Sequence, residues 1–138
     1  MPRKDTIHQA VKQSLIKDGW TITNDPLLLE FGEEDMYIDL GAERLLAAER
    51  GTEKIAVEIK SFMGPSPVTD LYNALGQYQV YYAVLEKNEP ERKLYVALSK
   101  NAFDELSEMD TFELVVRRFR VALLVVRIEE EEVDLWKE

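Results

Sequence analysis

Apolar residues near the start of the chain recur at helical spacing. Ile7, Val11 and Leu15 are four apart with Ala10 alongside, which predicts a helix over residues 5–17 that Asp5 caps and Gly19 ends. Trp20-Thr21-Ile22-Thr23 reads as a short extended stretch closed by Asn24-Asp25-Pro26. Residues 37–46 and 54–62 then carry strand character, with Glu49-Arg50-Gly51-Thr52-Glu53 as the hairpin turn between them. Gly64-Pro65-Ser66-Pro67 stops the sheet. Beyond it Leu71, Ala74, Leu75, Tyr78, Tyr82 and Leu85 fall on one stripe, predicting a long helix over residues 68–87. Residues 94–98 are apolar enough for a strand buried on both faces. A short helix is expected over 101–109. Asp110 is placed to cap another, with Phe112, Val115, Val116 and Phe119 on its inner side. Residues 121–128 form a fourth strand, and 133–136 return beside it across Glu129 to Glu132.

This order of elements predicts an α/β fold, a central mixed sheet flanked by helices, in one domain over residues 1–138. The sheet prediction is specific: the 37–46 and 54–62 hairpin sits at its centre, with Val57 and Ile59 buried under the long helix. The composition agrees with a packed core, being 46% hydrophobic and 32% charged with few Gly and Pro. The chain has no cysteine, which removes disulfides, thiolate zinc sites and cysteine nucleophiles together. Its longest apolar run, Val121 to Val126, is far short of the roughly 20 residues of a membrane helix. The first residues show no signal-peptide core. A soluble, cytoplasmic protein without a membrane partner is expected. The formal net charge is −10, which opposes strong standing affinity for nucleic acid. Acid collects in residues 25–53 and again in 101–138. Such a concentration is either a solvated face or a divalent-cation site, and composition does not choose.

Candidate chemistry sits in Ile55-Ala56-Val57-Glu58-Ile59-Lys60. Strand alternation puts Val57 and Ile59 on one face and Ala56, Glu58 and Lys60 on the other, so a carboxylate and an ammonium project side by side from a strand otherwise built for burial. Asp39 lies on the preceding strand with Gly41 and Glu43 on its face, and hairpin pairing would bring it towards Glu58. The triplet acid-x-Lys is weak by itself, since about two occur by chance in a chain this rich in acids and lysines. The second one, Glu91-Arg92-Lys93, follows Pro90 in a polar turn and reads as surface. Gln77 and Tyr81 stand four apart on the long helix and share a face that leans over the sheet end.

The order Asp39, Glu58-Ile59-Lys60, Gln77-x-x-x-Tyr81 resembles the PD-(D/E)XK nuclease superfamily, including the Gln-x-x-x-Tyr helix of its RecB-like branch. The resemblance implies that Asp39 and Glu58 hold Mg²⁺ (or Mn²⁺), with the Ile59 backbone carbonyl as a third protein ligand. It implies that Lys60 positions or polarises the attacking water and that Gln77 orients the site. No Pro precedes Asp39, a departure from the motif. Hard carboxylate oxygens suit Mg²⁺, and a lysine beside bound water stabilises developing negative charge.

A closer resemblance extends over most of the chain. Ile7-His8-Gln9-Ala10-Val11, Asp18-Gly19-Trp20, Asp39-Leu40-Gly41-Ala42-Glu43, Glu49-Arg50-Gly51, residues 55–62 and Ala74-Leu75-Gly76-Gln77-Tyr78 are similar to the XisH family, the cyanobacterial fdxN-element excision controlling factors. That resemblance implies a restriction-endonuclease-like core. It also implies a role in developmentally controlled excision of a DNA element, with a site-specific recombinase and an XisI-type companion as partners. The net acidity predicts that this chain alone binds DNA weakly.

Plainer readings stand beside these. Glu58 and Lys60 could be an exposed ion pair worth about 0–1 kcal/mol. Asp35 and Glu43 compete with Asp39 as ligands. Gln77 could be a helix-surface amide, and Tyr81 a partly buried ring with a wet hydroxyl. His8, the single histidine, suits capping or packing. Arg117, Arg118, Arg120 and Arg127 form a basic cluster that is either solvated or turned to phosphate. Oligomeric state, including a homo-oligomer, stays open.

Overall fold

The computed structural model describes residues 3–32, 36–38 and 44–138. Along the chain these form helix α1 (Lys4–Lys17), strands β1 (Thr21–Asn24), β2 (Leu29–Phe31), β3 (Met36–Ile38), β4 (Arg44–Arg50) and β5 (Glu53–Ile59), helix α2 (Pro67–Asn88), strand β6 (Arg92–Ser99), helices α3 (Lys100–Ser107) and α4 (Asp110–Arg118), and strands β7 (Leu123–Arg127) and β8 (Glu132–Lys137). Among the described residues six strands make one mixed sheet in the order β1-β4-β5-β6-β7-β8. The pairs β5/β6 and β6/β7 are parallel, and β1/β4, β4/β5 and β7/β8 are antiparallel. The expected α/β architecture, a mixed sheet flanked by helices, is the observed one. No helix among the described residues is long and apolar enough to cross a membrane.

The central hairpin departs from expectation at its turn. Arg50 pairs with Glu53, so the turn is the two residues Gly51-Thr52 rather than five. Gly51 takes φ +61°, the left-handed conformation that a two-residue hairpin requires and glycine adopts without steric cost. The expected strand over residues 37–46 falls partly outside the described residues, and β4 begins at Arg44 and pairs with β5. Met36–Ile38 pairs with Leu29–Phe31 in a separate ribbon, for which β2 gave no periodic signal. A buried Leu29 anchors that ribbon in the core beneath α2, and Asn88 Nδ2 donates to the Glu30 carbonyl at 2.6 Å.

The sheet buries both faces. One packs Leu45, Ala56, Val96, Leu98, Leu123 and Val125 against Leu71, Tyr78, Tyr81 and Leu85 of α2, Leu106 of α3, and Phe112 and Val116 of α4. The other packs Leu46, Ile55, Val57, Ile59, Ala97 and Leu124 against Ile7, Val11 and Leu15 of α1 and against Trp20. Val57 and Ile59 are therefore fully buried, but under α1 and not under α2 as expected. The alternation that separates them from Glu58 is the reason: α2 covers the Ala56 and Glu58 side, and α1 must close the opposite one.

Two helix starts also differ. Arg3 and Met109, not Asp5 and Asp110, occupy the N-cap positions, and both aspartates lie in the first turn, where a carboxylate still meets the positive end of the helix dipole. Phe119, expected on the inner side of α4, is 46% exposed because it follows the helix as its C-cap.

Candidate functional site

Glu58 is the penultimate residue of β5, paired with Leu45 on β4 and Val96 on β6. A strand flanked on both sides leaves its side chain only the face towards α2, and it is 1% exposed there. Removing an ion from water costs several kcal/mol after relaxation, so a carboxylate at this depth needs compensation nearby. Lys60 supplies part of it. Its backbone N–H donates to the Ala97 carbonyl at 2.9 Å, extending the register one residue past the strand and returning the Lys60 side chain to the Glu58 face. The ammonium sits 3.5 Å from Glu58 Oε1 and is itself buried at 8% exposure. Lys60 Nζ also donates to Gln77 Oε1, so the middle of α2 is tied to the end of β5. These three residues form a line of acid, base and amide across one helix–sheet seam.

Local sequence chemistry sets the approach of α2. Ser66 Oγ accepts from the Thr69 N–H at 3.2 Å and Pro67 takes the first helical position, a cap and a preorganised first turn. Asp70 Oδ2 accepts from the Gly64 N–H at 2.9 Å. A Cβ at position 64 would collide with that carboxylate, so a larger residue there displaces the Asp70 side chain and its hydrogen bond. Deeper along the helix, the Tyr78 hydroxyl accepts from the Ala122 N–H at 3.3 Å and reaches the Leu94 carbonyl at 3.5 Å. Burial pushes this phenol above its usual pKa, and the Glu58 charge is among the further causes in the same direction.

The structure brings Glu58, Lys60 and Gln77 together. Asp39 lies outside the described residues, as do Asp35, Gly41 and Glu43. Among the described residues no three or more His, Cys, Asp or Glu gather in a metal-sized group. Ile59 turns its side chain into the α1 face. Tyr81 is 1% exposed within the α2 core, a deeper position than the wet hydroxyl expected of it. His8 is buried on α1, which covers the opposite face from Glu58. The arginines do not act as one patch. Arg117 and Arg120 line a cavity of about 900 Å³ with Tyr78, Tyr82 and Arg92, whereas Arg127 lines another of about 1150 Å³ near Glu129. Arg117 pairs with Glu113 at 2.8 Å and Arg127 with Asp134 at 2.7 Å. The second acid-x-Lys triplet is also less superficial than its turn-like sequence suggested. Arg92 opens β6, is 8% exposed, and donates to the Ile55 carbonyl at 3.0 Å and to Glu89. Its alternation with exposed Lys93 was the available signal.

The XisH family model matches residues 1–134. The chain belongs to the XisH family. Two solved XisH-type structures superpose on it over nearly their whole length. An XisH family protein from Nostoc punctiforme is 37% identical with a TM-score of 0.89, covering 97% of this chain and 100% of its own. An fdxN element excision controlling factor protein from Anabaena variabilis is 36% identical with a TM-score of 0.88, covering 97% and 99%. No curated protein matches the chain. The XisH resemblance seen in the sequence is thereby a membership, and the six-stranded sheet belongs to a fold shared with these relatives.

Proposed function

We propose that this XisH chain is a restriction-endonuclease-like module of PD-(D/E)XK type that acts in excision or rearrangement of a DNA element, with Mg²⁺-assisted phosphodiester hydrolysis as its chemistry. The observation that carries the reading is the buried line of Glu58, Lys60 and Gln77. A surface ion pair would be solvated. This one is almost wholly withdrawn from water, anchored from a second element by an amide, and placed where β5 ends.

The donor chemistry fits a hard divalent cation. The Glu58 carboxylate and the Ile59 carbonyl offer oxygen ligands, and Asp39 is the second carboxylate of the proposed set. A bound Mg²⁺ would supply Lewis-acid stabilisation of charge at the phosphate. Lys60 holds a positive charge beside the Glu58 oxygen and can orient a water through its remaining protons. Gln77 fixes the Lys60 side chain, keeping the ammonium aimed at the carboxylate. As partners we propose a site-specific recombinase and an XisI-type companion, on the strength of the XisH resemblance in the sequence.

A second reading is favoured by charge. With a net charge of −10 and Arg117 and Arg127 already engaged by acids, the chain suits a nuclease-fold module that regulates a recombinase through protein contacts without cutting. One set of measurements separates the two. Wild type, Asp39→Asn, Glu58→Gln and Lys60→Ala are each melted with and without Mg²⁺ or Mn²⁺, and assayed on supercoiled DNA. For the nuclease, the metal raises the melting temperature of wild type and Lys60→Ala by mass action on the folded state, both carboxylate variants lose most of that rise, and cleavage is confined to wild type. A metal response without cleavage in the wild type selects the regulatory reading. Four proteins that melt identically with and without metal refute the assigned site.

A further inference from the structure

The longest stretch of the chain without a charged residue runs from Leu71 to Leu85 on α2, in a protein with 32% charged residues. Burial explains part of it: Leu71, Ala74, Tyr78, Tyr81, Val84 and Leu85 face the sheet, with Leu75 and Gln77 half-buried beside them. Much of the rest is surface. Tyr72, Asn73, Gly76, Gln79, Val80 and Ala83 are exposed, Tyr72 at 67% and Val80 at 49%. The exposed side of α4, by contrast, carries the Glu113–Arg117 ion pair. An outward helix face with aromatic and aliphatic side chains and no charge has the composition of an interface core.

The face is symmetric about one residue. At about 100° per residue, Gly76 lies opposite the middle of the buried stripe, with Tyr72 and Val80 one turn to either side at about 40° left and right. Among the described residues nothing asks for glycine there, because a Cβ at Gly76 would meet no atom within 4 Å. Glycine is nonetheless the poorest helix former after proline. A position that gives up helix propensity without an internal reason fits close approach of another backbone.

We propose that this face pairs with the same face of a second copy of the chain, the two α2 helices crossing antiparallel about a two-fold axis at Gly76. That operation sets Tyr72 of each copy against Val80 of the other, twice over, as an isologous contact demands. Charge selects the face as well. Two bodies of net charge −10 repel, and contact through the uncharged side of α2 brings no carboxylates together. The contact is one helix wide and at most about 28 Å long, because the two-fold at Gly76 sets residue 67 against residue 85; it lies at the small end of specific interfaces, so the dimer is concentration-dependent.

Sedimentation equilibrium of the full chain over a concentration series tests the pairing. The expected result is a reversible monomer–dimer equilibrium, weakened about tenfold or more in Kd by Tyr72→Lys and by Val80→Glu. Circular dichroism and melting of the monomer should stay as in wild type, since both side chains are exposed. Combining the two substitutions in one chain places opposite charges at both contacts and restores the dimer. Gly76→Leu, whose side chain enters open space in the monomer, dissociates the dimer by bulk alone and keeps the test alive if a charged variant fails to fold. A wild type that stays monomeric at its highest soluble concentration overturns the proposal. So does a dimer indifferent to these substitutions, or a doubly substituted chain as monomeric as either single variant.

Discussion

Glu58 and Lys60 are costly to bury one by one and tolerable together. At 1% and 8% exposure neither charge is screened by bulk water, and their 3.5 Å separation acts in a low effective dielectric. Lys60→Met keeps much of the aliphatic volume and removes the countercharge, so it should lower stability by about 3 kcal/mol. Urea unfolding at neutral pH checks this, and a loss under about 0.5 kcal/mol would mean that the pair behaves as an exposed one. Glu58→Gln with Lys60→Met should recover part of the loss, because a neutral amide at position 58 needs no cation. At this same scale Gln77 acts through Lys60: it holds the side chain whose charge the site uses.

Helix α2 is the element that joins site, core and proposed dimer face. Its start is fixed by Ser66, Pro67 and the Gly64–Asp70 hydrogen bond, and its middle by the Tyr78 hydroxyl, which spans to β6 and to the backbone preceding β7. Tyr78→Phe strands the Ala122 N–H in a buried setting and should cost about 1–2 kcal/mol. The pH dependence has a definite sign. Burial raises the Tyr78 pKa above its ordinary 10.0, so the folded state holds the proton after the unfolded state has released it. The advantage of wild type over Tyr78→Phe is then fully present below pH 10 and shrinks as pH rises through the folded-state value. Denaturant melts of both proteins at neutral and strongly alkaline pH measure it; a difference that grows with alkalinity would contradict the assignment.

For the whole molecule, charge decides the encounter with nucleic acid. A net charge of −10 and arginines split between two cavities give few free cations with which to release counterions from a duplex. The isolated protein should bind random duplex DNA weakly, and that binding should vanish between about 50 and 200 mM salt. Fluorescence anisotropy across a salt series reads this directly. Tight binding that persists at high salt would show a contact surface not made of these arginines, and targeting would then need no less acidic partner.

Local patterns were legible in the chain: the spacing of Ile7, Val11 and Leu15, the stripe from Leu71 to Leu85, the Gly-Pro-Ser-Pro stop, and the apolar run of β6 each depend on neighbours within a turn or two. Gln77, four residues before Tyr81, could be placed towards the sheet for the same reason. Tertiary structure decided what periodicity leaves degenerate. Alternation separates Val57 from Glu58 without saying which helix covers which, and it was the path of α2 from β5 to parallel β6 that put Glu58 beneath it and left Val57 to α1. Met36–Ile38 has strand character, but its partner is β2 and not β5, because pairing is chosen by where Leu29 can be buried. Burial also turned Arg92 from a turn residue into an anchor of β5 and β6. Sequence alone determined most of the elements, β2 excepted, and pointed to the family, since both are written in short-range pattern and residue identity. The depth of Glu58 and the contact of Lys60 with Gln77 came from the sheet, because only packing brings residues seventeen positions apart to one point.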